Sequence, residues 1–253
     1  MHSYANPLRF QRLADALLPW TAGLALLLAP PALYLALVVA PPDYQQGDAA
    51  RIMYVHVPAA WMGSFVYAGL ALCAAAALIW RHPLAEVAGR AIAPIGAVFT
   101  AIALVTGSLW GKPMWGTFWV WDARLTSVLI LFFLYLGYIA LHDAFDDPGR
   151  GARAAAILAL VGAVDLPIIK FSVDWWNTLH QPSSLLRLDG PTIDRSMLWP
   201  LLVMLLVFKL YFVTVAILRI RAHLAERRLH QLRTAALTSG RDTVPLPGQA
   251  PGL

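Results

Sequence analysis

The sequence predicts an all-α fold: an integral membrane bundle of six transmembrane helices, both termini cytoplasmic, with a tryptophan-rich segment at the outer surface. Three observations carry this. Only 13% of the 253 residues are charged and 59% are hydrophobic, whereas soluble domains average about 25% charged. Six apolar runs approach the roughly 18–20 residues that cross a bilayer. The basic residues are also unevenly shared between the two sides, twelve against six.

The runs are residues 20–40, 57–80, 91–109, 126–141, 154–169 and 197–218. The fourth and fifth are short, about 24 Å each at about 1.5 Å per residue, so their helices are expected to extend into the flanks. Residues 1–238 thus make one membrane domain, and the Pro/Gly-rich stretch 239–253 reads as a disordered cytoplasmic tail. With six crossings both termini share a side. That side carries Arg9, Arg12, Arg81, Arg90, Arg150, Arg153 and the six arginines from Arg219 to Arg241. The other carries Arg51, Lys112, Arg124, Lys170, Arg187 and Arg195. The positive-inside rule makes the richer side cytoplasmic. The net charge of +5 is therefore a topology signal and gives no reason to expect nucleic acid.

Within the runs, Pro30-Pro31 removes two backbone donors and should kink span one. That run reads as an uncleaved anchor, too long for a signal-peptide core. Span two is rich in Gly and Ala, which let helices approach closely. Its lone cysteine, Cys73, reads as packing. Asp165 in span five is the only acid well inside an apolar run, and Lys209 in span six lies at comparable depth. An Asp165–Lys209 pair and a snorkelling lysine both suit that spacing.

The chemistry concentrates on one side. Residues 110–125 hold four of the ten tryptophans, Trp110, Trp115, Trp119 and Trp121, and end in Asp122 and Arg124. Interfacial belts populate both membrane faces, yet only Trp20 and Trp80 lie at the inner face and the other eight near the outer one. Taken as a surface helix, Trp115, Phe118, Trp119, Asp122 and Leu125 would share a face. Topology also sorts the seven histidines. Five are cytoplasmic, and His56 and His180 are outer, each two residues before a proline. The residue before proline is pushed out of the helical region, so each imidazole should sit on a stiff bend. Trp176 and His180 would share a face if their loop is helical. Taken alone, an outer histidine is more often structural; as a pair, the two fit the axial ligation of six-coordinate haem iron. The macrocycle would stack on tryptophan, and its carboxylates would meet Arg51, Arg124 or Arg187, with Arg124 nearest the shelf. Zinc or copper fits less well, since such sites cluster three or four ligands. No nucleotide loop, nucleophile elbow or catalytic carboxylate pair is present, so a hydrolytic or nucleotide-using role finds no support.

Three segments carry a resemblance: residues 55–58 (Val-His-Val-Pro), the stretch from Trp115 to Ser127, and residues 175–182 (Trp-Trp-Asn-Thr-Leu-His-Gln-Pro). The second resembles the WWD motif of haem-handling proteins of cytochrome c biogenesis. The short six-span form, with one outer histidine before the motif and one after it, is similar to the CcmC family of haem exporter and haem-delivery proteins. The resemblance implies haem b (iron protoporphyrin IX) with His56 and His180 as axial ligands. It implies a WWD haem surface of Trp115, Trp119, Trp121 and Asp122 at the periplasmic face of the inner membrane. It implies delivery to a membrane-anchored periplasmic haem chaperone, in a complex with ATP-binding cassette subunits and a small single-span subunit. The Pro/Gly-rich tail and Phe118 depart from the pattern without touching a ligand. Two other classes stay open on the residues alone: a transporter or channel subunit for another solute, and a purely structural membrane subunit.

Overall fold

In the computed structural model, residues 6–176, 178–180, 185 and 190–241 are described. Seven α-helices make up this part: α1 (Pro7–Tyr34), α2 (Met53–Trp80), α3 (Pro83–Trp115), α4 (Ala123–Asp143), α5 (Pro148–Gly162), α6 (Asp165–Trp175) and α7 (Arg195–Arg241). Six membrane-length apolar segments result, because α5 and α6 together form the fifth. Each membrane-length segment is longer than its apolar run, and local chemistry sets the ends. Asn6, His82, Asp122 and Asp147 accept from first-turn amides as N-caps. Pro7, Pro83 and Pro148 follow at the first helical position, where no N–H is missed. Helix α1 continues through Pro30-Pro31 and widens into a π turn at Leu35–Val39. The long α7 runs to Arg241, beyond the Ser239 boundary expected for the tail; residues 242–253 lie outside the described residues.

The core sits between α2, α3, α4 and α5, around Met62, Val66, Tyr67, Leu70, Leu131 and Tyr135. Small residues make this approach possible. A Cβ on Gly96 would lie 2.2 Å from the Tyr135 ring, and one on Gly63 would lie 2.8 Å from Thr100 Oγ1. The Tyr135 hydroxyl donates to the Gly63 carbonyl at 2.8 Å, whereas the buried Tyr67 hydroxyl has no partner among the described residues. A second cluster of Ala32, Ala36, Met53, Tyr54, Met197, Leu201 and Met204 ties α1, α2 and α7 at the other end. Leucines such as Leu26, Leu72 and Leu206 remain exposed, as lipid-facing residues must.

The Asp165–Lys209 pair does not form. Asp165 is 7% exposed at the start of α6, and its Oδ2 is buried with no partner among the described residues. Lys209 Nζ instead lies over the rings of Trp61 and Phe65, at 5.4 and 5.3 Å. Two aromatic faces on α2 outcompete an acid that α6 turns inward.

Candidate functional site

The last three turns of α3 are the frame of the site. His56 is in the first turn of α2, and its Nδ1 lies 3.0 Å from the Ala103 carbonyl and 3.1 Å from Thr106 Oγ1. Thr106 Oγ1 itself donates to the Ile102 carbonyl at 2.6 Å. The ring meets Trp110 edge-on, centroids 5.7 Å apart. Only glycine fits beneath it: a Cβ on Gly107 would stand 2.9 Å from His56 Cε1. Trp110 is fixed in turn by a 3.0 Å hydrogen bond from Nε1 to Gln46 Oε1. One turn on, Gly111 makes room for Trp115, whose Cε3 a Cβ there would approach to 2.9 Å.

The His56 bend expected from Pro58 is absent. Residues 53–80 are continuously helical, and Pro58 lies inside α2. Its ring is accommodated near the helix start, at the loss of one backbone hydrogen bond. His56 therefore stands on a rigid helix.

The tryptophan segment is likewise a loop and no surface helix. Gly116, at φ 76°, closes α3 in the left-handed conformation, and helix resumes at Ala123 after Asp122 in extended conformation. Glycine tolerates that backbone where other residues do not. Between these stops Trp119 packs edge-on against Trp121, centroids 5.4 Å apart. Trp121 is 75% exposed, whereas Trp119 Nε1 is buried without a partner among the described residues.

Asp122 joins loop, helix and histidine. Its Oδ1 accepts from Leu125 N at 2.7 Å, capping α4. Its Oδ2 accepts from the Thr178 hydroxyl and lies 3.1 Å from His180 Nδ1. His180 N donates to Thr178 Oγ1 at 3.1 Å, and the His180 ring meets Trp115 edge-on at 4.9 Å. Burial alone would raise the Asp122 carboxyl, but hydrogen bonds from Thr178, Leu125 and His180 outweigh it and hold it below its usual value. Burial also pushes His180 below the ordinary histidine range, against the opposing pull of Asp122. Trp176 is extended at φ −133°, so it shares no helical face with His180. Asn177, Gln181, Pro182 and Arg187 lie outside the described residues, and with them the bend expected at His180.

The two histidines share a feature that decides their chemistry. Each presents Nδ1 to an oxygen that only accepts, a carbonyl for His56 and a carboxylate for His180. The proton is thereby held on Nδ1, and Nε2 keeps its lone pair. Neither Nε2 has a hydrogen-bond partner among the described residues. The imidazoles are near enough for a charge on one to be felt at the other, and Arg124 lies within that range of both. Arg124 donates from Nε to Ser172 Oγ at 3.2 Å and from Nη2 to the Ile169 carbonyl at 3.4 Å, leaving Nη1 without a partner among the described residues. Arg51 is turned elsewhere. It binds the Leu37 and Ala40 carbonyls and pairs with Asp48 at 3.2 Å, closing the end of α1.

The family model described as heme exporter protein C matches residues 1–235, which include every element of the site. The chain belongs to the CcmC family. It is 56% identical over 229 residues to heme exporter protein C of Bradyrhizobium diazoefficiens, covering 90% of this chain and 87% of the relative. It is 50% identical over 224 residues to heme exporter protein C of Haemophilus influenzae, covering 88% and 91%. A mitochondrial ccmC-like cytochrome c biosynthesis protein of Marchantia polymorpha is 52% identical over 181 residues, covering 72% and 75%.

Four residues of the candidate site are not singled out by the sequence: Thr106, Gly107, Gly111 and Thr178. Ala103, Gly107 and Gly111 recur every four residues immediately before the tryptophan loop. That small-residue stripe was the available signal for a face of α3 that something bulky approaches. Thr178 offers no such signal, because its role depends on a contact 56 residues away.

Proposed function

We propose that this chain binds haem b at the outer face of the membrane and presents it for c-type cytochrome maturation. The family's role in haem handling supports the reading, and one observation carries it: two imidazoles, each edge-on to a tryptophan at the end of α3, both with Nδ1 against an acceptor oxygen. Histidines that ligate metals nearly always donate their other ring N–H to a carboxylate, carbonyl or water. Here Asp122 and the Ala103 carbonyl supply those acceptors. His56 and His180 would hold the haem through their imidazoles, and the group would supply the iron they ligate. Trp115, Trp119 and Trp121, with Phe118, offer ring surfaces to the macrocycle, Trp121 being the most open of the three tryptophans. Asp122 is a positioning residue that orients His180. Arg124 Nη1 and Trp119 Nε1 are the donors left for the haem carboxylates.

The twelve-to-six distribution of basic residues supports a periplasmic position for this face in the bacterial inner membrane, with both termini cytoplasmic. A membrane-anchored periplasmic haem chaperone receives the haem. ATP-binding cassette subunits and a small single-span subunit complete the assembly, so that nucleotide is used by other chains. The deciding measurement is the absorption spectrum of the protein purified from haem-replete membranes, beside His56→Ala and His180→Ala. A bis-histidine Soret band in the wild type, lost or shifted in each variant, is expected. A colourless wild type, or variants with unaltered spectra, would overturn the assignment.

A further inference from the structure

Lys209 is placed where a lysine is least at ease. On α7, the 66%-exposed Trp199 stands ten residues before it and Arg219 ten residues after it. Ten residues of helix span about 15 Å. Interfacial aromatic and basic residues mark the two membrane surfaces, so Lys209 sits at the centre of a hydrocarbon layer about 30 Å thick. Neither surface is within reach of a four-carbon stem.

Its surroundings supply no counter-charge. Nζ lies 5.4 Å from the Trp61 ring centre and 5.3 Å from that of Phe65, and no salt bridge involves it among the described residues. Trp61 and Phe65 are themselves 42% and 47% exposed, so the clamp lies on the outside of the bundle. Leu202 and Leu206 precede Lys209 on the same face of α7, and both are exposed. Two aromatic faces neutralise part of an ammonium's desolvation, but acyl chains on its open side offer neither charge nor acceptor. Intramembrane charges are costly and pair when they can.

We propose that Lys209, flanked by Trp61, Phe65 and Leu206, is the docking point for a transmembrane helix of another subunit that carries an aspartate or glutamate at mid-bilayer depth. The two rings hold the ammonium pointing along the bundle surface, ready for a carboxylate on a neighbouring helix. The inference is independent of what the outer site binds.

The test uses the full chain in its own membranes, with a photo-crosslinking residue in place of Leu206 and Lys209 intact. We expect a cross-link to a transmembrane helix of another subunit, within one helical turn of an acidic residue. Lys209→Met should then reduce recovery of that subunit at least about tenfold, while the chain's own yield and elution are unchanged. Lys209→Glu combined with lysine at the identified acid should restore recovery. Cross-links to lipid alone, to a second copy of this chain, or to a helix with no acid at that depth would overturn the proposal. So would full recovery of the subunit with Lys209→Met. Because the cross-link is read with Lys209 present, it decides the matter even where Lys209→Met is recovered poorly.

Discussion

At the scale of single residues, Asp122 does two jobs with two oxygens. Oδ1 caps α4 and Oδ2 holds His180. Substitution separates them. Asp122→Asn keeps a good capping residue, so thermal stability should change by less than ~1 kcal/mol. Haem affinity should nevertheless fall about 10–100-fold, the usual effect of losing an outer-shell partner; a haem titration beside a melting curve checks both. The depressed His180 basicity also sets a pH dependence. The folded chain takes up this proton less readily than the unfolded one, whose histidine titrates near ~6.5. This group's contribution therefore weakens stability as pH falls below that value, and the imidazole stays neutral further into acid than a free one. Haem ligation should accordingly persist as pH is lowered through the ordinary histidine range. A spectrum that changes at an unperturbed histidine value would contradict it.

Among the elements, α3 is the one on which the site is built, and its glycines are the sharpest probes. Gly107→Ala adds a methyl 2.9 Å from His56 Cε1 without disturbing a helix that favours alanine. The histidine must move, so haem binding should weaken at least about tenfold with stability retained, a split that a structural role alone would not give. Gly96→Ala is the contrast. Its methyl would fall 2.2 Å from the Tyr135 ring in the core, so it should destabilise by ~1–3 kcal/mol, read as a lowered melting temperature in detergent. The element scale also shows what could be read from sequence. Apolar runs and capping residues fix six crossings, because length and hydropathy are local properties. The loop form of residues 116–122 was available from Gly116 and Asp122, a helix stop and a helix start, although the periodicity of Trp115, Phe118, Trp119 and Asp122 suggested otherwise. The contact of His180 with Asp122 was not available. It joins residues 58 apart, and no local pattern encodes such a meeting.

Across the whole molecule, polarity is rationed. The acid and the base at membrane depth do not meet: Asp165 is buried at the start of α6, and Lys209 lies at the surface against α2. A double-mutant cycle on Asp165→Asn and Lys209→Met should therefore be additive to within about 0.5 kcal/mol, as for residues that share no contact. Coupling above ~1 kcal/mol in the melting temperatures would contradict the separation. Depth and type of both residues were legible from the sequence, but the face each helix turns inward was not. Helix rotation follows from packing around Tyr67 and Tyr135, which spacing along one chain does not specify.

The two histidines are held by different kinds of attachment. His56 belongs to one long helix and is wedged against another, with Gly107 leaving it no room to retreat. His180 stands outside any helix and is kept in place by side chains, Thr178, Asp122 and Trp115. In mechanical terms one is an anchor and the other a latch. A site whose cargo is handed onward needs one bond that gives way first, and the latch is the bond that can open without unpacking the bundle. If haem is held as proposed, His180 would be the imidazole able to let go first and His56 the one that would keep its hold.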